Sequence, residues 1–210
     1  MLYTFDGQEV DDNFLSNKPK YRGSDGLLFN FQGKLIKQMR SNFSNPDAAH
    51  ITAQLWYYRQ AFQRLACPEK VLFYPDGSYF GFVRSEITAL PLSSIDDFSL
   101  KKLNFEFKKL WHDFQLLNKL GIIAYDSNHF ENILINSVEE LALIDTEQFG
   151  YAGPNNPEKE NRKKFNSLVL SVLAKEECDY FQDDNLLEYL ESQADQTIPA
   201  TEMYEKILKR

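Results

Sequence analysis

GIIAYDSNHFENILINSVEELALIDTEQFG, residues 121–150, carries two short apolar runs separated by a polar connector. Asn132 opens the first run, Asn136 to Glu140 form the connector, and the second run, Leu141 to Ile144, delivers Asp145. This pattern predicts a β-hairpin. Such a hairpin holds Asn132 and Asp145 close together at its mouth, although they stand thirteen apart in sequence. An amide oxygen beside a carboxylate is a hard-oxygen pair suited to Mg²⁺. Asp126, in the polar loop just upstream, is then placed to orient or deprotonate a hydroxyl nucleophile. An ordinary surface hairpin with acidic ends has the same pattern, so the neighbouring sequence must decide.

Composition narrows the choice. A chain of 210 residues, 43% hydrophobic and 26% charged, is globular and long enough for one domain or two small lobes. Its 23 basic and 31 acidic residues give a formal charge of −8, which argues against nucleic-acid or anionic-membrane partners. Lys18, Lys20 and Arg22 form the one local basic patch singled out. The two cysteines, Cys67 and Cys178, lie far apart and read as reduced, buried thiols. The first residues, MLYTFDGQEVDD, lack the apolar region of a secretory signal, and no apolar run approaches a membrane span. The expectation is a soluble, cytoplasmic protein.

Upstream of the hairpin, Leu27–Phe31 and Lys34–Met39 read as paired strands joined at Gln32 and Gly33. Gly23-Ser24-Asp25-Gly26 precedes them, a small-residue loop whose amides can approach phosphate oxygens. Most such loops are plain turns. Ala48 to Leu65 is predicted helical, with Ile51, Leu55, Tyr58 and Phe62 at helical spacing and Pro68 stopping it. Val71–Tyr74 and Tyr79–Val83 flank a Pro-Asp-Gly-Ser turn, and the second strand runs on into Ser85, Glu86 and Ile87. A long helix follows from Phe98 to Leu120, its stripe of Leu103, Phe107, Leu110, Phe114 and Leu117 marking a buried face, and Gly121 ends it. Beyond Gly150, helices are predicted over 161–173, 184–190 and 201–208. The histidines His50, His112 and His129 show no metal-ligand spacing, so zinc is not expected.

In this order the chain resembles the protein-kinase-like superfamily over roughly residues 18–150. The opening stretch looks like a catalytic loop, D-x-x-x-x-N, followed by a metal-binding D-F-G, here Asp145-Thr146-Glu147. Three departures stand out. Tyr125 occupies the place of the usual His-Arg or His-Gly, the gap from Asp126 to Asn132 is one residue longer, and counting back from Asn132 reaches Ser127 instead. Asp126 is preferred as the base because a serine cannot accept a proton at neutral pH. His129, inside the same loop, is a candidate contact to substrate or phosphate.

The resemblance implies an α+β, bilobal kinase-like fold. Residues 1–87 would form a small β-rich N-lobe and 88–210 a truncated helical C-lobe, as in a compact, minimal, bacterial-type member. It further implies ATP and Mg²⁺ as ligands. Gly23, Ser24, Gly26 and Lys37 would meet the phosphates, and the backbone of Ser85, Glu86 and Ile87 the adenine edge. Asn132 and Asp145 would hold the metal, and Asp126 would be catalytic. Lys37 as a solvated strand lysine and 85–87 as an exposed strand end are the plainer readings. The helix that should supply a glutamate to Lys37 has none between Arg40 and Pro68, and Gln54 is the nearest polar substitute. The expected activity is transfer of the γ-phosphate of Mg·ATP to a hydroxyl on a protein. The alternative is a pseudokinase, a nucleotide-binding or protein-interaction module, favoured by the missing glutamate. A small-molecule phosphotransferase resembling the aminoglycoside or choline kinases fits less well, because few residues follow Gly150.

Overall fold

The computed structural model describes residues 1–94, 99–127 and 130–176. His129, Cys178 and the helices expected over 184–190 and 201–208 lie outside the described residues. The fold is α+β. Contacts divide the chain into two compact units, one of Met1–Ala61 with Ala66–Ile87, the other of Phe62–Leu65 with the described residues from Thr88 onward.

The first unit contains β1 (Leu2–Thr4), β2 (Glu9–Val10), β3 (Tyr21–Arg22), β4 (Gly26–Phe31), β5 (Lys34–Met39), α1 (Ala48–Tyr58), β6 (Lys70–Phe73) and β7 (Tyr79–Ser85). The strands form one antiparallel sheet in the order β2-β1-β6-β7-β5-β4-β3. The β4–β5 turn places Gln32 and Gly33 at φ 50° and 78°, the paired left-handed conformation that suits the twist of a two-residue hairpin. Along β5 successive side chains alternate, so Ile36 and Lys37 lie on opposite faces, and both are buried. Ile36 joins a core of Leu2, Phe14, Phe29, Leu72, Phe80 and Val83.

Residues 1–17 contribute to the core as well as to the sheet edge. They supply both β1 and β2, and a 3-10 turn at Asn13–Ser16 that sets Phe14 edge-on against Phe29 and Phe31, with centroids 5.7 and 5.4 Å away. Burying one such side chain is worth about 1.5–3 kcal/mol, so this segment is part of the core. α1 packs on β6 and β7, where Thr52 Oγ1 and the Tyr79 hydroxyl lie 3.0 Å apart. The helix expected over 48–65 ends at Tyr58. Its intended continuation has a better offer: the amides of Gln63, Arg64 and Leu65 bond the carboxylate of Asp113 at 2.8, 2.6 and 2.7 Å.

The second unit contains β8 (Leu90–Pro91), α2 (Leu100–Lys119), β9 (Ile122–Ile123), β10 (Ile133–Ile135), β11 (Leu141–Leu143), β12 (Gly150–Tyr151) and α3 (Pro157–Glu176). Ser99 caps α2. β10 lies between β11 and β8, and β9 pairs with β12. α3 starts four residues earlier than the expected 161, and the cause is local. Asn156 Oδ1 accepts the Lys159 amide at 3.2 Å and Pro157 takes the first helical position, where its missing N–H costs nothing. Phe107, Phe114 and Phe165 stack α2 against α3, the last two with centroids 5.4 Å apart. No helix among the described residues is long and apolar enough to cross a membrane.

Glu106, almost fully buried on α2, accepts from Arg64, from Lys109 Nζ at 2.8 Å and from the Leu141 amide at 3.2 Å. Burial pushes its pKa up, but the bonds from Arg64, Lys109 and Leu141 outweigh that and hold it below the usual range. The native state therefore binds fewer protons than the unfolded one. Its contribution is complete above the unfolded pKa of about 4.3 and is lost as pH falls through the lower folded value. Glu106→Gln should cost roughly 2 kcal/mol at pH 7, with the gap to wild type closing toward pH 3. Urea titrations at the two pH values test this, and a constant gap would show that the carboxylate charge contributes nothing.

Candidate active site

The hairpin forms as expected, with Ile133 opposite Leu143 and Ile135 opposite Leu141. One further bond closes its mouth: the Ile144 amide donates to the Asn132 carbonyl at 2.8 Å. This bond holds Asn132 next to the residue that precedes Asp145. The Asn132 side chain turns the other way along the chain, its Nδ2 donating to the carbonyl of Asp126 at 3.1 Å. Asn132 is thus bonded both to Asp126 and to Ile144, the residue before Asp145, and links a turn, a 3-10 segment and a strand end.

The backbone at the two acids is unusual. Asp126 and Asp145 have φ of 66° and 62°, a left-handed conformation that non-glycine residues seldom adopt. Asp126 sits third in a turn closed by the Ser127 amide bonding the Ala124 carbonyl at 3.3 Å. This turn separates the two candidates for the base: Asp126 is exposed, whereas Ser127 is 1% exposed and its hydroxyl has no hydrogen-bond partner among the described residues. Left-handed backbone costs of order 1–3 kcal/mol per residue and persists where surrounding structure enforces it. Here the enforcing bonds are those of Asn132 and Ile144.

Asn132 and Asp145 offer the kind of oxygen that Mg²⁺ takes. With Nδ2 donating to Asp126, Asn132 Oδ1 receives no hydrogen bond from the described residues. Asp145 is half-buried and supplies a carboxylate. No group of three His, Cys, Asp or Glu capable of holding a metal occurs among the described residues. Mg²⁺ commonly takes one or two protein ligands and completes its octahedron with phosphate oxygens and water, so this pair matches that habit.

In the first unit, β5 runs between β4 and β7, with Lys37 opposite both Leu28 and Phe82. Lys37 is 4% exposed, which rejects the solvated-lysine reading. Its stem lies over Gly26: a Cβ added at Gly26 would stand 3.3 Å from Lys37 Cγ and Cε and 2.6 Å from the Gln38 carbonyl. Gly23 and Gly26 close the β3–β4 turn through a 2.9 Å amide–carbonyl bond. Among the described residues the amides of Ser24 and Asp25 meet no main-chain acceptor. Loop and lysine are therefore neighbours through Gly26.

The strand end is organised by its side chains. Ser85 Oγ donates to Glu69, which also pairs with Lys34, and Glu86 pairs with Lys20 while accepting from the Tyr21 hydroxyl at 3.5 Å. Both residues are exposed, Ile87 is half-buried, and the backbone of Glu86 and Ile87 lies beyond β7. Gln54 is half-buried on α1.

Sequence reasoning passed over Asn161. It is fully buried on α3, accepting the Ala124 amide at 2.8 Å through Oδ1 and donating from Nδ2 to the Ile122 carbonyl at 2.7 Å. A third contact reaches the side-chain amide of Asn118 at 2.7 Å. The available signal was positional: Asn161 stands one helical turn before Phe165 and two before Leu168, on the apolar stripe of α3.

No protein-family model matches the chain, and no curated protein sequence matches it.

Proposed function

We propose that the protein is a kinase-like phosphotransferase that uses Mg·ATP, with residues 1–87 supplying the phosphate contacts and residues 88–210 the metal ligands and base. The observation that carries this reading is at the hairpin mouth, where Asn132 donates from its side chain to the Asp126 carbonyl and accepts at its own carbonyl from Ile144, the residue before Asp145. The buried Lys37 packed under Gly26 supports it, since a lysine in that setting is held in one place rather than waving in solvent.

The residues divide the work. Lys37 and the amides of Ser24 and Asp25 in the Gly23–Gly26 loop bind phosphate oxygens, and the backbone of Ser85, Glu86 and Ile87 meets the adenine edge. Asn132 Oδ1 and the Asp145 carboxylate hold Mg²⁺, which when bound neutralises charge on the β- and γ-phosphates. Asp126, exposed on its turn, orients the acceptor hydroxyl and takes its proton. The acceptor oxygen bonds to the γ-phosphorus as the bond to the β,γ-bridging oxygen breaks, and ADP leaves. We assign the acceptor hydroxyl to a protein.

A thermal-shift titration with ATP, with and without Mg²⁺, tests binding. Ligand at 100 Kd stabilises by about 2.7 kcal/mol, several degrees in a chain of this size at roughly 2–4 °C per kcal/mol. Lys37→Met, which keeps the packed stem and removes the charge, should weaken Mg·ATP about 10- to 100-fold, the worth of a charged hydrogen bond. Unchanged affinity in that variant would remove the phosphate role of Lys37. The second reading is a pseudokinase, a nucleotide-binding or protein-interaction module without turnover. It is favoured by the neutral Gln54 where an acid is expected beside Lys37, and absence of phosphoryl transfer by a folded wild type, with or without an ATP-dependent shift, would favour it over the first.

A further inference from the structure

The Asp126 turn has no regular secondary structure of its own, and its chain neighbours Ile122–Ala124 are fully buried. A catalytic acid on such a turn is only as well placed as the segment leading into it. β9 is two residues long and pairs on one side only, with β12. Two strand residues with a single partner are a weak anchor, because pairing of that length is marginal by itself.

We propose that Asn161 is the positioning residue of the Asp126 turn, a polar bracket on α3 that fixes the backbone from Ile122 to Ala124 and thereby the placement of the Asp126 carboxylate. This deepens the phosphotransferase reading and rests on it for its catalytic part. The geometry is two-sided. Oδ1 takes the Ala124 amide and Nδ2 gives to the Ile122 carbonyl, so one planar amide reads a donor and an acceptor two residues apart. The side-chain amide of Asn118, near the end of α2, lies 2.7 Å from Asn161 Nδ2 and packs beside it. Because Asn161 is fully buried, no water competes for these bonds and each carries close to its full cost when removed. The turn then builds on this base: the Tyr125 amide bonds the Ile123 carbonyl at 3.0 Å, and the Ser127 amide bonds the carbonyl of Ala124 itself at 3.3 Å. Both of these main-chain bonds therefore end on a residue that Asn161 grips or on its immediate neighbour, and Asn132 adds its side-chain bond to the Asp126 carbonyl. A residue whose only role was to fill the core would need neither the donor nor the acceptor, and leucine has nearly the same volume.

Amide hydrogen exchange on the full chain tests this, with phosphoryl transfer measured alongside. In wild type the Ala124 amide should exchange only through openings as rare as those of the α2 core. In Asn161→Ala, protection at Tyr125 and Ser127, which Asn161 does not touch, should fall at least ten times further than at Ile133–Ile135. Asn161→Asp keeps the acceptor for Ala124 and should restore protection partway. It also serves as the comparison if the alanine variant does not fold. In the transfer assay both variants should keep Mg·ATP affinity within about twofold while turnover falls, on the order of 100-fold for alanine, the scale of a 1 Å misplacement. The proposal is overturned if Ala124 exchanges like a surface loop in wild type, or if the variants lose protection uniformly. It is equally overturned if affinity and turnover fall together in proportion to the folded fraction. Should wild type transfer no phosphate at all, the phosphotransferase reading fails, and the exchange pattern still decides whether Asn161 fixes the turn.

Discussion

Asp145→Asn is expected to remove Mg²⁺-dependent nucleotide binding and to lower phosphoryl transfer on the order of 10³-fold while leaving the protein folded. Asparagine is the informative replacement. Residue 145 has φ 62° and ψ 53°, and asparagine accepts left-handed backbone far better than alanine does, so it keeps the local conformation and the shape. What it removes is the negative charge and a hard anionic oxygen. Of the two protein oxygens assigned to the metal, the one from Asn132 is neutral, so Asp145 supplies all the charge the protein offers the cation. Several kcal/mol of transition-state stabilisation depends on such a cation, and about 1.4 kcal/mol is a factor of ten in rate. The readout is the Mg²⁺-dependent part of the thermal shift together with labelled-phosphate transfer. An Asp145→Asn protein that binds Mg·ATP as wild type does removes Asp145 from the metal site.

The second large effect is on stability, at Gly81. This residue lies on β7 opposite Gln38 of β5, with φ 149°. A Cβ placed there would lie 1.9 Å from the carbonyl oxygen of Lys37 and 3.0 Å from its carbonyl carbon. The obstacle is main chain, so no rotamer relieves it, and the two strands must part along the ladder from Lys34 to Gln38. Gly81→Ala should cost about 4 kcal/mol or more, at the far end of single-substitution effects and a large share of the 5–15 kcal/mol typical of a whole domain. Gly77→Ala is the matched control: its φ is 82° but nothing lies within 4 Å of the added carbon, so only backbone strain of about 1–2 kcal/mol applies. Urea denaturation of the two variants separates steric clash from strain. If they differ by less than about 1 kcal/mol, the strands are not packed as closely as described. A second consequence reaches the site, since the displaced carbonyl belongs to Lys37.

Much of this architecture was legible from alternation and turn chemistry. The β4–β5 and β6–β7 hairpins follow from Gln-Gly and Pro-Asp-Gly-Ser flanked by apolar runs, and the β10–β11 hairpin from two apolar triplets around a polar connector. Those signals are local, and each strand pairs with its sequence neighbour. The nearness of Asn132 to Asp126 and to the strand end before Asp145 was legible for the same reason, because all of them sit within or beside one hairpin. The parts that were not legible depend on distant partners. Helical spacing runs on past Tyr58, but the amides of 63–65 are claimed by Asp113, roughly fifty residues away. Asp113 and Glu106 share a face of α2 with Leu110 and Leu117. A reading that counts apolar residues steps over the charges between them, yet those charges hold the segment that leaves α1. Asn161 escaped in the same way, as a polar residue on an apolar stripe whose partners are main-chain atoms with no sequence signature. Phe14 was hidden for a related reason, since nothing in NFLS tells which sheet face it will cover.

The four residues Phe62–Leu65 have a consequence for how this protein can be inherited and handled. They are covalently part of the first unit's run of chain, but Asp113 takes three of their amides, Arg64 pairs with Glu106, and the Arg64 carbonyl accepts the Leu143 amide at 2.8 Å. Leu143 is two residues from Asp145. No single cut therefore yields both units whole. A fragment ending at Ile87 would carry away three amides that bond the fully buried carboxylate of Asp113, and the remainder would keep that carboxylate without them. Modules joined by a simple linker can be shuffled between genes, expressed apart and recombined. A chain that lends four residues and takes the thread back cannot, so its two units must be gained, lost and altered together.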